Sequence, residues 1–148
     1  MNSTKYNEDF VKKLIRTKEG KHLDFKQKIT SKEKIAKTLS AFSNTAGGLI
    51  LIGVSDKKRI VGVDPEEEKY MVETANEEFC TPKATLSFYP IKWTQDSENL
   101  LENDEDIYLL LVEVASSTGS KVYCKGKLGE LKAYQRIEDQ TLAISNSY

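Results

Sequence analysis

The stretch Ala41–Val54, AFSNTAGGLILIGV, decides how the chain is read. It spells the end of a helix, a two-glycine turn and the start of a strand. Leu49–Ile52 contains no polar residue, the pattern of a central strand covered on both faces. Upstream, Ile35, Leu39, Phe42 and Ala46 recur at helical spacing and make one apolar stripe. The spacing predicts a helix lying on the sheet that its own following strand helps to build. Gly47 falls where a helix stop takes a left-handed residue, a conformation glycine adopts without a Cβ clash.

Working outward, Thr30–Glu33 reads T-x-x-E, a capping box that would open this helix, with Lys32, Lys34 and Lys37 off its stripe. His22–Lys26, HLDFK, alternates and predicts a short strand with Leu23 and Phe25 on its buried face. A first helix is expected from about Glu8 to Lys18, capped by Asn7, with Tyr6, Phe10, Val11 and Leu14 inward and Gly20 as its stop. Downstream, Ile60–Val63 reads as the hairpin partner of the central strand. Asp64-Pro65-Glu66-Glu67 starts a third helix with an inner stripe of Met71, Ala75 and Phe79, ended by Thr81-Pro82. Ala84–Trp93 predicts a strand that Pro90 confines to an edge or a bulge. Thr94–Asp106 is acidic and polar and is expected to be a mobile hairpin loop. Ile107–Val114 is another apolar strand, and Val122–Lys125 with Leu131–Ile137 makes a last hairpin. The order predicts an α+β fold, a mixed β-sheet with helices packed on it.

Composition narrows the function classes. The 148 residues amount to one domain, 1–148, large enough for a core without a staple. Two cysteines, Cys80 and Cys124, and one histidine, His22, provide neither a disulfide framework nor a structural zinc set. No apolar run approaches the ~20 residues of a membrane span and no apolar signal core opens the chain. The expectation is a cytoplasmic protein with no membrane partner. Net charge is −1, yet residues 1–37 hold eleven Lys/Arg against five Asp/Glu and the remainder eleven against eighteen. A basic end on a near-neutral chain is a candidate surface for an anionic partner, with an ordinary solvated face as the plainer reading.

The glycine pair does not make a phosphate cradle, because it follows a helix C-terminus rather than preceding an N-terminus. Glu19, Asp24 and Asp56 fall at a turn, on a strand and at the end of the central strand. If the fold converges them, their oxygens are hard ligands suited to Mg²⁺ or Mn²⁺, and such a metal activates water. Lys26 would then hold a phosphate. Spacing alone favours the plainer reading, a solvated helix-end acid and a turn aspartate. A nucleophile–histidine set would have to use His22. Tyr134 and Arg136 alternate on the last strand and share a face, from which Arg136 would reach a phosphate or simply cover the sheet.

Taken together, E-x-x-x-L-D-F-K at Glu19–Lys26, AFSNTAGG, LILIGVSD, the return IVGV at Ile60–Val63 and Tyr134-Gln135-Arg136 resemble the Schlafen AlbA_2 domain family over about residues 8–140. The resemblance implies nucleic-acid binding, often in transcriptional regulation, commonly beside an ATPase-like or winged-helix region. It also implies, for some members, a metal-dependent ribonuclease acting on structured RNA such as tRNA. The acidic triad of those members falls on Glu19, Asp24 and Asp56, with aspartate where the family has a second glutamate. Two-lobed members imply a homodimer for a single lobe. The leading expectation is a DNA- or RNA-binding module needing no cofactor, with Lys12, Lys13, Arg16, Lys26, Lys28 and Arg136 on phosphates. The alternatives are an Mg²⁺- or Mn²⁺-dependent endoribonuclease using the three acids, and a non-catalytic dimerisation module.

Overall fold

Two four-stranded sheets share one helix. The computed structural model describes residues 5–94 and 106–145. In chain order the elements are α1 (Glu8–Ile15), β1 (Leu23–Lys26), α2 (Lys32–Thr45), β2 (Gly48–Ile52), α3 (Pro65–Phe79), β3 (Cys80–Thr81), β4 (Leu86–Trp93), β5 (Ile107–Val114), β6 (Tyr123–Lys125), β7 (Leu131–Ile137) and β8 (Gln140–Ala143). The first sheet runs β1-β2-β5-β4 and the second β3-β6-β7-β8. β1 lies parallel to β2, and every other pairing is antiparallel. The fold is a small α+β structure with one mixed and one antiparallel sheet.

The apolar run of β2 divides between two cores because consecutive strand residues face opposite ways. Ile50 and Ile52 join Leu110, Val112 and Val114 of β5 under Ile35, Leu39 and Phe42 of α2. Leu51 joins Leu109, Leu111 and Ile91 on the other face, where α1 lays Val11, Phe10 and Leu14. Ile50, Leu51 and Ile52 are all fully buried, as a central strand requires. Gly47 takes φ +74°, and a Cβ there would stand 2.8 Å from the Val114 carbonyl oxygen. A Cβ on Gly48 would meet the Phe42 ring at 2.7 Å. The glycine pair therefore lets the chain leave α2 and enter β2 directly beneath it.

The opposite side of α2 is polar and docks the second sheet. Ser40 Oγ donates to the Val122 carbonyl at 2.7 Å and accepts from the Tyr134 N–H at 3.1 Å. Asn44 Oδ1 accepts from Val122 N–H at 2.8 Å, and its Nδ2 donates to the carbonyls of Val122 and Tyr134, each at 2.9 Å. Thr45 Oγ1 accepts from Arg136 N–H at 2.9 Å. Ser40, Asn44 and Thr45 thus satisfy backbone groups of β7 and of the approach to β6 that no strand pairs.

Several expectations shift. The N-cap of α2 is Ser31, whose hydroxyl accepts from Lys34 N–H; Thr30 lies one residue outside. Asn7 does cap α1, but α1 stops at Ile15. Its last carbonyls are taken by Arg16 N–H, Thr17 N–H and the Thr17 hydroxyl, well before Gly20. Ile60–Val63 forms no hairpin strand. β1 and β5 occupy both edges of β2, leaving one bridge, Val54 to Ile60, and the N–H groups of Val61 and Gly62 on the Gly53 carbonyl. Asp64 and Pro65 open α3 as expected, while its buried side is Glu68, Val72, Ala75 and Asn76, with Met71 and Phe79 half-buried. β4 is an unbroken edge strand through Pro90. β8 was not foreseen. Most of the 94–106 connection lies outside the described residues.

Replacing Asn44 by alanine strands the Val122 N–H and the Tyr134 carbonyl, while the Val122 carbonyl keeps the Ser40 hydroxyl. Urea denaturation should show a loss of roughly 2–3 kcal/mol with an unchanged slope. An unchanged midpoint would show that α2 does not hold the second sheet through this side chain.

Candidate functional site

Arg136 is where the two sheets meet. The alternation of β7 turns it toward α2, and only 4% of it is exposed. Its Nε donates to the Gly20 carbonyl at 2.9 Å, and Nη2 to the Leu23 carbonyl at 3.2 Å and to Asp24 Oδ1 at 2.9 Å. Nη1 donates to Thr141 Oγ1 at 3.1 Å. The guanidinium carbon lies 4.9 Å from the centre of the Phe42 ring, within reach of a cation–π contact. Four donor contacts thus point into the protein. The structure places this arginine inside the fold, away from the surface where a phosphate contact was expected.

Asp24 is equally buried, at 4% exposure. β1 therefore hides both Leu23 and Asp24, where alternation had predicted one buried face. Besides Arg136, Asp24 has Lys26 Nζ at 2.9 Å from Oδ2, an ion pair rather than a directed hydrogen bond. Glu19 lies alongside, with Oε2 accepting from Phe25 N–H at 2.7 Å. Burial pushes the Glu19 carboxyl above its ordinary value, and the Asp24 carboxylate adds to this by repulsion and hydrogen bonding. The Phe25 N–H and Lys26 pull the other way.

Asp56 is exposed and shares a cleft of about 280 Å³ with Glu19, Phe25, Ser55, Lys58 and Asp139. The fold thus brings Glu19 beside Asp24 and sets Asp56 across a cleft from Glu19. Among the described residues no three His, Cys, Asp or Glu side chains group so as to hold a metal ion. The like charges of Glu19 and Asp24 are balanced by Arg136 and Lys26. Asp24, the middle one of the three positions, is thus engaged by protein cations.

A basic cleft of about 600 Å³ adjoins this acidic one, with Lys58 on the rim of both. Lys12 and Ile15 of α1 and its C-cap Arg16 form one wall. Lys58, Arg59 and Ile60, from the turn after β2, form the other, and Trp93 at the end of β4 closes it. Four cations and no carboxylate line it. Lys58 holds a left-handed backbone, φ +65°, with Nζ donating to the Thr17 carbonyl at 3.3 Å, which fixes the turn against α1. Trp93 Nε1 is buried without a hydrogen-bond partner among the described residues.

The expected phosphate-binding set is therefore dispersed. Lys12 and Arg16 line the cleft, Lys13 and Lys28 are exposed outside it, Lys26 is paired with Asp24, and Arg136 is internal. Lys58, Arg59, Trp93 and Asp139 were missed. The run Lys57-Lys58-Arg59, between the central strand and Ile60, was the available signal.

Two outcomes follow for stability. Arg136→Ala leaves Asp24 buried without its main partner and should cost about 3–5 kcal/mol by chemical denaturation. A loss below 1 kcal/mol, the scale of a surface pair, would show the ion pair to be dispensable. Because the folded Glu19 carboxyl titrates above its unfolded value, its contribution is complete below the ordinary carboxylate range. It is lost as pH rises through the raised value. Glu19→Gln should remove that fall from the stability–pH curve, and identical curves for the two proteins would refute the assignment.

Comparison with known proteins fits this geometry. The family model for Schlafen, AlbA_2 matches residues 19–145, from the first of the clustered acids to beyond β8. Among solved structures the chain is similar to the DIP2311 protein from Corynebacterium diphtheriae, at 14% identity and a TM-score of 0.48. That match covers 84% of this chain and 22% of the other, so the chain spans about a fifth of that protein. Among the described residues no helix is long and apolar enough to cross a membrane. From Glu19 through β8, the chain belongs to the Schlafen AlbA_2 family, a nucleic-acid-related domain.

Proposed function

We propose that the chain is a nucleic-acid-binding module of a regulatory, cytoplasmic protein, and that the cleft between α1 and the 57–60 turn receives the sugar–phosphate backbone. The observation that carries this reading is the lining of that cleft: Lys12, Arg16, Lys58 and Arg59 around Trp93, without a carboxylate. The guanidinium groups of Arg16 and Arg59 and the ammonium of Lys58 suit the bidentate and point-charge contacts that phosphate takes. The indole offers an apolar face at the same place, and bases stack on such faces. The buried Asp24–Arg136 pair holds the Gly20–Leu23 segment in place and so fixes the neighbouring acidic cleft. Binding needs no cofactor in this reading. A second copy of the chain would extend the surface to a longer groove.

Contacts of this kind give affinity without sequence information and weaken steeply with salt. Fluorescence anisotropy with duplex DNA and with structured RNA should show binding at low salt. Arg16→Glu with Arg59→Glu should weaken it at least about tenfold and reduce the salt slope by roughly two. Absence of affinity for either nucleic acid at low salt refutes the proposal. Salt-insensitive self-association in its place would favour the dimerisation module. Running the RNA arm with Mn²⁺ and with EDTA tests the remaining alternative. Metal-dependent cleavage abolished by Asp56→Asn would make the protein an endoribonuclease; intact RNA under both conditions leaves a binding module.

A further inference from the structure

A second basic cleft lies on the opposite side of the first sheet. It runs between α2 and the β6–β7 hairpin and encloses about 570 Å³. Lys34 and Lys37 stand on the helix wall, and Lys125, Lys127 and Lys132 on the hairpin wall. All five lysines are exposed. Glu33 and Glu130 are the acids at its margin. Glu130 is turned back onto its own hairpin, with Oε1 accepting from Leu128 N–H at 3.0 Å.

Elsewhere on the surface four lysines pair with carboxylates, Lys5 with Glu113, Lys32 with Glu78, Lys83 with Glu77 and Lys92 with Asp106, while others such as Lys13 and Lys28 stand singly among the described residues. Among the described residues, none of the five cleft lysines lies within ion-pair distance of an acid. Lys37 instead sits over the Tyr134 ring, 5.6 Å from its centre. Five ammonium groups facing one concavity repel one another, and a polyanion lying between the walls relieves that repulsion. An isolated phosphate would meet only two or three of them, whereas a polynucleotide backbone presents a charge to each.

The two clefts do not belong to one surface. α1, which walls the first, packs on Leu51, Leu109 and Leu111. α2, which walls the second, packs on Ile50, Ile52, Leu110 and Val112. These residues alternate along β2 and β5, so the helices cover opposite faces of the sheet. A straight strand or duplex in one cleft leaves the other vacant.

We propose that the α2–hairpin cleft is a second, independent nucleic-acid-binding surface, so that one molecule holds two nucleic-acid segments at once. This rests on the proposed function above and adds stoichiometry and place to it. The test uses the intact chain, with its oligomeric state fixed by light scattering, titrated with a short duplex. Lysine acetylation followed by peptide mass spectrometry reads which ammonium groups the duplex covers. Two duplexes per protein are expected at saturation, with Lys58 protected together with Lys34, Lys37, Lys125, Lys127 and Lys132. Lys37→Glu with Lys132→Glu, both at exposed positions, should abolish the second equivalent and leave Lys58 protected. One duplex per protein with Lys58 covered and the five lysines fully reactive overturns the second surface and upholds the first. Protection of the five lysines with Lys58 reactive upholds the second cleft and overturns the first, and with it the two-segment stoichiometry. No bound duplex removes both.

Discussion

The buried pair of Asp24 and Arg136 is the constraint around which the rest is arranged. One guanidinium reaches the carbonyls that lead into β1, the carboxylate on β1, a hydroxyl on β8 and the ring of Phe42 on α2. Removing two charges from water costs several kcal/mol per ion, so the arrangement holds only because nearly every donor is satisfied. Asp24 is bound by protein cations, and Glu19, through burial first and the neighbouring Asp24 second, holds its proton more tightly. Arg136 and Lys26 thus set the local surroundings of Asp24.

α2 is the second organising element because its two sides speak different chemical languages. The apolar side anchors it to β2 and β5, where any well-filled surface would serve. The side carrying Ser40, Asn44 and Thr45 reads individual N–H and C=O groups of the second sheet. Hydrogen bonds of this type add modest net stability but penalise every wrong register, since a slip would bury unpaired groups. The second sheet is thus held in one place relative to the first. The walls of the α2–hairpin cleft inherit that fixed spacing.

The parts of this fold visible in the sequence were those encoded locally. β2 announced itself by an apolar run, α3 by Asp64-Pro65, and Gly47 by its position after a helical stripe. What remained hidden depends on distant partners. A strand residue such as Arg136 looks like a surface arginine until the fold supplies Asp24, 112 positions earlier. Ile60–Val63 has the composition of a strand, but β1 and β5 claim both edges of β2 first. β8, with two polar residues at its start, carries too little pattern to be seen without β7. The basic cleft was half legible: α1 displayed Lys12 and Arg16, and nothing local indicated that Lys58, Arg59 and Trp93 face them.

The distance between the two halves of the buried pair has a consequence for how the protein is made. At roughly 5–20 residues per second, the ribosome delivers Arg136 on the order of ten seconds after Asp24. Throughout that interval β1 carries an aspartate with Lys26 beside it but without the arginine that encloses it. β2 likewise lacks β5, because Leu110–Val114 has not yet left the exit tunnel. The early segments are thus committed to waiting, with the apolar face of α2 available to chaperones. Closure comes when β7 and β8 arrive as a clasp, so this unit waits for its last strands rather than building up along the chain.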